Sequence, residues 1–395
     1  MESAIKAYRD SKVRSILLGS LIITLARGAT LPYLPIYLHT RLDTTIYQTG
    51  IILTLAMTLG MFISAFSGEI LKKWNNRTVI VISLALFSLG FIAIPYFSSA
   101  TAFIISFVII NLSYGIFSTF VKSTIAAGVF SNTRVRVFSL NYTAINIGWV
   151  AGPVIGVFAA GLSAYASFVI SSLCGLIGMC MLRDFPDNKE RPAEIEKPPC
   201  RDPHLKSVIL FIIAGFLIMF VYGRFASCIS QVLMSQYSDE TVRNIISVIV
   251  SVNAATIICL QYYTSSKIET ARASYAFLMA FVFITGGIAI FSVAGINLAL
   301  WAVAMVIFTL GEAIFSPLQF MVVDSISSPE NKSRYFALQN ISDTGGALNP
   351  LVTGAVISAF SPCVLYGLLM LTCGASCTLF IIGLKISAQP EKIPS

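Results

Sequence analysis

Apolar residues fill blocks of about twenty, parted by short polar breaks, along nearly the whole chain. At 1.5 Å of rise per residue, twenty residues cross roughly 30 Å of hydrocarbon, so each block predicts a membrane-spanning helix. The blocks fall at 14–38, 46–70, 78–97, 101–122, 136–160, 163–182, 207–232, 243–264, 273–294, 297–321, 334–358 and 362–385. The first follows the basic stretch Met1 to Arg14. It is too long for a secretory signal and lacks a small-residue cleavage site, so it is expected to stay in the mature protein.

Composition agrees with that pattern. Of 395 residues, 56% are hydrophobic and 11% charged, against roughly 25% charged in a soluble domain; the bilayer must be the solvent. The expected fold class is an all-α membrane protein with twelve transmembrane helices. The net charge of +8 raises the question of a nucleic-acid partner, and the positions of the basic residues exclude one. Twenty-one of the 26 Lys and Arg residues fall in alternate inter-span segments, the largest group being the six from Arg183 to Lys206. The opposite loops hold only Arg41 and Arg243, while Arg27, Lys122 and Arg224 lie inside spans. This asymmetry is a topology signal that places both termini in the cytoplasm. The eight cysteines show no metal-ligand spacing, so no disulfide, metal or cofactor is expected.

The longest polar stretch, 183–206, carries five prolines and mixed charge and reads as a cytoplasmic linker. It separates residues 1–182 from 207–395, each half holding six spans. The halves share local patterns at a nearly constant offset. Arg27 matches Arg224 at 197 and Ile116-Phe117-Ser118 matches Ile314-Phe315-Ser316 at 198. Arg136-x-Phe138-x-Leu140 matches Arg334-x-Phe336-x-Leu338, and Gly148-xxx-Gly152-Pro153 matches Gly345-xxx-Asn349-Pro350. Four matches in order point to duplicated six-helix bundles with a site between them.

With these features the chain resembles the major facilitator superfamily over essentially its whole length. The resemblance implies two pseudo-symmetric six-helix bundles joined by a cytoplasmic loop. In span 5, Gly148-Trp-Val-Ala-Gly152-Pro153-Val-Ile-Gly156 is similar to the glycine-proline pattern of the drug-exporting antiporter branch. Physically, Gly148, Gly152 and Gly156 share one helix face and permit close contact, and Pro153 removes a backbone hydrogen bond. A close, bendable contact suits a moving helix; simple tight packing is the plainer reading. After span 2 the family pattern Gly-xxx-Asp-Arg/Lys-x-Gly-Arg/Lys is matched by Gly68, Lys73 and Arg77, with Lys72 at the acidic and Asn75 at the glycine position. The family's usual charge latch between helices therefore cannot form in the same way. The arginine that many members carry in span 4 corresponds here to Asn111. The segments Arg27 to Pro32 and Gly311-Glu312-xxxx-Pro317 resemble bacterial multidrug and small-peptide exporters.

An ionisable group inside the membrane costs roughly 2.5–3.5 kcal/mol on insertion scales, so depth ranks the candidates. Arg27 lies about thirteen residues, roughly 20 Å, into span 1, and Arg224 is its repeat partner in span 7. Glu312 lies about fifteen residues, roughly 22 Å, into span 10, on one face with Phe308, Ser316 and Gln319. A carboxyl group out of water can exchange a proton, whereas arginine stays charged. Glu312 is thus the leading proton-coupling candidate, against the alternative of a permanent ion pair with an arginine. Asp343 is a second acid at plausible depth. Asn111, Ser118 and Lys122 form a polar stripe in span 4 that ends where Lys122 can snorkel to the interface. Asn141, Tyr142 and Asn146 in span 5 and Tyr114 in span 4 are candidate solute contacts, because amides and phenols bond directionally without a charge.

The only histidines, His39 and His204, fall in or near loops, and no nucleophile stands beside a base, which argues against an enzyme. A channel calls for a filter-like repeat or charged ring that the chain lacks. A secondary transporter explains both the duplication and the isolated charges. The expected mechanism is alternating access in a bacterial-type inner membrane, the halves rocking about a central site while inward protons drive outward solute. Two arginines facing one or two acids favour an anionic or zwitterionic solute, such as a peptide, a chelator or an amphipathic drug. Uptake by proton symport is the rival reading, and a functional monomer is expected.

Overall fold

In the computed structural model, residues 11–64, 75–97, 99–126, 134–163, 165–183, 204–267, 272–327, 335 and 338–388 are described. Helices form wherever the apolar blocks are long. They are α1 (Ser11–Thr30), α2 (Leu34–Leu42), α3 (Ile46–Ser64), α4 (Asn76–Ala93), α5 (Ala100–Ala126), α6 (Arg134–Leu162) and α7 (Ala166–Leu182). There follow α8 (Leu205–Tyr222), α9 (Phe225–Met234), α10 (Asp239–Lys267), α11 (Ala273–Phe291), α12 (Leu298–Ile326), α13 (Thr344–Ala359) and α14 (Pro362–Ser387). Each of the twelve expected spans is met by helix, and among the described residues nine helices are long and apolar enough to cross a membrane. The surface is that of a protein dissolved in lipid. Large apolar side chains point outward, with Phe158 72% and Leu371 75% exposed, while Ser171, Thr309, Asn349 and Ser376 are wholly buried. Lipid tails are as apolar as the core, so polar groups move inside, where other helices can satisfy them.

Spans 1 and 7 are interrupted part-way. In span 1, α1 ends in a 3-10 turn, Leu31–Tyr33, before α2, with a proline early in each new segment. Pro32 and Pro35 lack the N–H that would continue the ladder. The Thr30 hydroxyl turns back on the carbonyl of Arg27 at 3.2 Å, and Ser171 of α7 donates to the carbonyl of Ala26 at 2.7 Å. In span 7, α8 stops at Tyr222 and α9 begins at Phe225; between them Arg224 takes φ −138°, ψ 34°. The Phe220 carbonyl, which would face the Arg224 N–H in an unbroken helix, instead accepts from Asn349 Nδ2 at 2.8 Å.

The chain forms two compact units, Met1–Thr44 with Leu55–Ile195 and Thr45–Thr54 with Glu196–Ser395. In the first, α1 packs on α6 and α7, and α4 on α5 and α7; in the second, α8 packs on α13 and α14, and α11 on α12 and α14. These are the same pairings carried by repeat-related helices. Residues 45–54, which include the first nine residues of α3, belong to the second unit. There Gly50 lets α3 touch the backbone of α13 at Pro350. The Thr54 hydroxyl donates to the carbonyl of Ala347 at 3.0 Å and accepts from the N–H of Leu351 at 3.1 Å. In a regular helix those two α13 groups would bond each other; here a hydroxyl from α3 is inserted between them, beside Pro350.

Candidate solute and proton sites

In the first unit the glycines of span 5 place α6 against α1. A Cβ on Gly148 would lie 2.7 Å from the Leu21 carbonyl, one on Gly152 2.6 Å from the Leu25 carbonyl, and one on Gly156 would strike Ala29. Any larger residue would separate the backbones. This close approach brings polar side chains of α1, α5 and α6 together. Ser20 donates to Asn141 Oδ1 at 2.6 Å. Two turns further along α1, the buried Arg27 sends Nη2 to Asn111 Oδ1 on α5 at 2.9 Å. Asn111 is held in that orientation because its Nδ2 donates to the Phe107 carbonyl at 2.9 Å. Gly60 of α3 leaves the space that the Asn111 side chain fills. The Arg27 guanidinium lies over the Tyr114 ring at 3.9 Å and within 5.8 Å of the Trp149 ring. Both contacts are cation–π attractions, strongest where water is excluded. Among the described residues no carboxylate pairs with Arg27. At the position where the resemblance implies an arginine, Asn111 instead receives one from another helix.

In the second unit Glu312 of α12 faces Asn253 of α10. Asn253 Nδ2 donates to Glu312 Oε2 at 3.1 Å and to Thr309 Oγ1 at 3.0 Å. Thr309 is fully buried. Among the described residues no cation is bonded to Glu312. One turn away, Phe308 stacks on Phe225 at 4.3 Å, and Phe315 meets Phe277 and Tyr222. The acid thus sits at the margin of an aromatic cluster.

The remaining candidates are spread more widely. Arg224 is half-buried at the α8–α9 break, its Nη1 3.4 Å from the Gly223 carbonyl. Gln319 is buried near Gly215, Ser316 and Asn146 are half-buried, and Lys122 and Arg77 are exposed. The Asp343 backbone lies in the 3-10 turn Asn340–Asp343, but its side chain, like that of Tyr142, falls outside the described residues, as do Gly68 and Lys73. Ser20, Trp149, Asn253 and Thr309 join the two clusters without having stood out in the sequence. Asn253 is findable by the depth rule applied to amides, since it lies mid-way along an apolar span; Trp149 is hidden as one more aromatic. Among the described residues no cluster of His, Cys, Asp or Glu is fit to hold a metal ion.

Duplicated helical bundles in a lipid-facing coat, with single charges held by polar side chains inside, define a secondary transporter architecture. The family model described as Major Facilitator Superfamily matches residues 16–350, and the chain belongs to that superfamily, whose members are transporters and not enzymes. It is 31% identical over 385 residues to YdeE of Escherichia coli (strain K12), an uncharacterized MFS-type transporter, covering 96% of this chain and 97% of that one. It is 29% identical over 160 residues to the quinolone resistance protein NorA of Staphylococcus aureus (strain MRSA252), covering 40% of this chain and 41% of that one. Among solved structures, a mutant of the peptide transporter POT in complex with alafosfalin aligns with a TM-score of 0.72 at 13% identity. That alignment covers 95% of this chain and 93% of that one. The protein is therefore a multi-pass secondary active transporter of the major facilitator fold.

Proposed function

We propose that this transporter exports a small anionic or zwitterionic solute, such as a peptide, a chelator or an amphipathic drug, in exchange for protons. It does so by alternating access in a bacterial inner membrane, with both termini cytoplasmic. One observation carries this reading: each unit holds a charge that no opposite charge among the described residues compensates, the buried Arg27 in the first and the half-buried Glu312 in the second. Isolated charges inside a membrane protein are costly, and their retention calls for a function. Arg27 cannot shed its charge, so the group that completes it is an anion that comes and goes, a carboxylate or phosphate on the solute. Tyr114 and Trp149 add an aromatic wall suited to an amphipathic body. Glu312 can shed its charge by taking a proton, which suits it to coupling. Each proton crossing 100 mV supplies about 2.3 kcal/mol.

Export is favoured over uptake by the span 5 glycines and by the likeness to a quinolone resistance protein over 160 residues. Arg224, Asn141, Asn146, Ser316 and Gln319 are further solute contacts in this reading, and Asp343 is a second proton carrier. Gly148, Gly152, Pro153 and Gly156 supply the bending contact. The test is solute-dependent proton movement in proteoliposomes, scanning dipeptides, organic anions and cationic drugs. An anionic or zwitterionic solute is expected to drive proton counter-flow that Glu312→Gln abolishes while binding persists. Co-movement of solute and protons replaces export by symport, and normal coupling in Glu312→Gln removes the coupling role.

A further inference from the structure

The Asn253 amide is held in the orientation that an ionised neighbour requires. Nδ2 faces both Thr309 and Glu312, while Oδ1 has no partner among the described residues. A carboxylate has only acceptors to offer, so an ionised Glu312 requires N–H donors. Thr309 accepts here, and its own hydroxyl proton has no acceptor among the described residues although the side chain is fully buried. Turning the amide by 180° about its last bond exchanges the roles. Oδ1 then faces Glu312 and Thr309, and it has two lone pairs for two O–H donors. One donor is the Thr309 hydroxyl. The other exists only when Glu312 carries a proton. With Glu312 ionised the same orientation would set oxygen against a negative oxygen.

We infer that Asn253 is a positioning residue for proton coupling, its amide turning over each time Glu312 gains or loses a proton. The inference rests on Glu312 being the coupling acid. The bond made in each state joins α10 to α12, so a proton arriving at Glu312 changes the polarity of a contact between two helices of the second unit. On the elements packed against α12, the described titratable groups are Asp239, Glu240, Arg243 and Cys259 on α10, Tyr275 on α11, Lys206 and Tyr222 on α8, Cys228 on α9, and Cys363, Tyr366, Cys373, Cys377 and Lys385 on α14; Asp324 lies on α12 itself. None of them bonds to Glu312 among the described residues. Asp239 to Arg243 lie at least ten residues, roughly 15 Å, along the helix from Asn253.

The experiment follows the side-chain amide of Asn253 by NMR in the full-length protein in nanodiscs across the pH range in which Glu312 titrates. The Glu312 carboxyl is read in parallel by infrared spectroscopy. The Asn253 Nδ2 resonances are expected to move with the same midpoint as the Glu312 carboxyl band, and to stop moving in Glu312→Gln. Asn253→Ala is expected to displace the pH midpoint of transport by about one unit, and Thr309→Val, which removes one of the two O–H donors, to weaken the amide's response. An Asn253 amide that stays still while Glu312→Gln abolishes coupling overturns this inference and spares the proposed function. Normal coupling in Glu312→Gln overturns both.

Discussion

The paired helices α1 and α6 in the first unit, and α8 and α13 in the second, descend from one pattern and solve their contact differently. Gly152 presses bare backbone onto an α1 that runs unbroken past Arg27 to Thr30. Its counterpart Asn349 sends a side chain to the Phe220 carbonyl, and the partner helix is broken at Arg224. The first arrangement fixes its arginine by packing, with Asn111 and Tyr114 locking the guanidinium; the second leaves its arginine half-buried at a joint. The two units share a scaffold, and glycine at the matched position goes with a packed helix where asparagine goes with a jointed one. The polar side chain supplies the donor that a broken helix lacks.

This contrast can be broken from either side. The largest effect is expected from Gly152→Leu, whose Cβ alone would lie 2.6 Å from the Leu25 carbonyl. It should cost about 3 kcal/mol or more, seen as a lower melting midpoint in detergent, whereas Gly161→Leu, with open space around it, should melt as wild type. Gly152→Asn should be nearly as harmful as leucine, because α1 offers no freed carbonyl there; wild-type melting would show the two halves to be interchangeable. Arg27→Gln should weaken binding of an anionic solute by roughly a hundredfold and Arg27→Lys by about tenfold, since lysine keeps the charge but not the planar fork. Titration calorimetry that finds equal affinity for all three would remove Arg27 from solute recognition. Asn349→Ala leaves the Phe220 carbonyl bare and should cost about 1–3 kcal/mol, read from the same melting midpoint. The smallest effect, about 1 kcal/mol or less, is expected from Thr54→Val, because the Ala347 carbonyl and the Leu351 N–H can bond each other once the hydroxyl is gone.

The spans are legible because hydrocarbon thickness imposes one length on every block. Even α6, whose apolar stretch is only Thr143–Gly156, is recoverable from its glycines and repeat register. Arg27 and Glu312 stand out because a charge at depth is rare. Their partners do not, since nothing in spacing says that Asn111 will meet span 1 or that Asn253 will meet span 10; those pairings are settled by packing between distant helices. The joint at Gly223–Arg224 is equally silent. Proline announces the bend in span 1, but in span 7 the only local sign is a glycine, and the decisive residue lies more than a hundred positions away. That residues 45–54 cluster with the second unit also has no sequence signature, being a matter of Gly50 and Gly354 allowing backbone contact.

The hydroxyl of Thr54 between Ala347 and Leu351 gives the molecule an internal reporter. The Leu351 amide proton is shielded by an oxygen from a segment almost three hundred residues earlier, not by its own helix. Its exchange with deuterium therefore times how long residues 45–54 stay seated on α13, and the same amide in Thr54→Val, bonded within its own helix, supplies the baseline against which that residence is read.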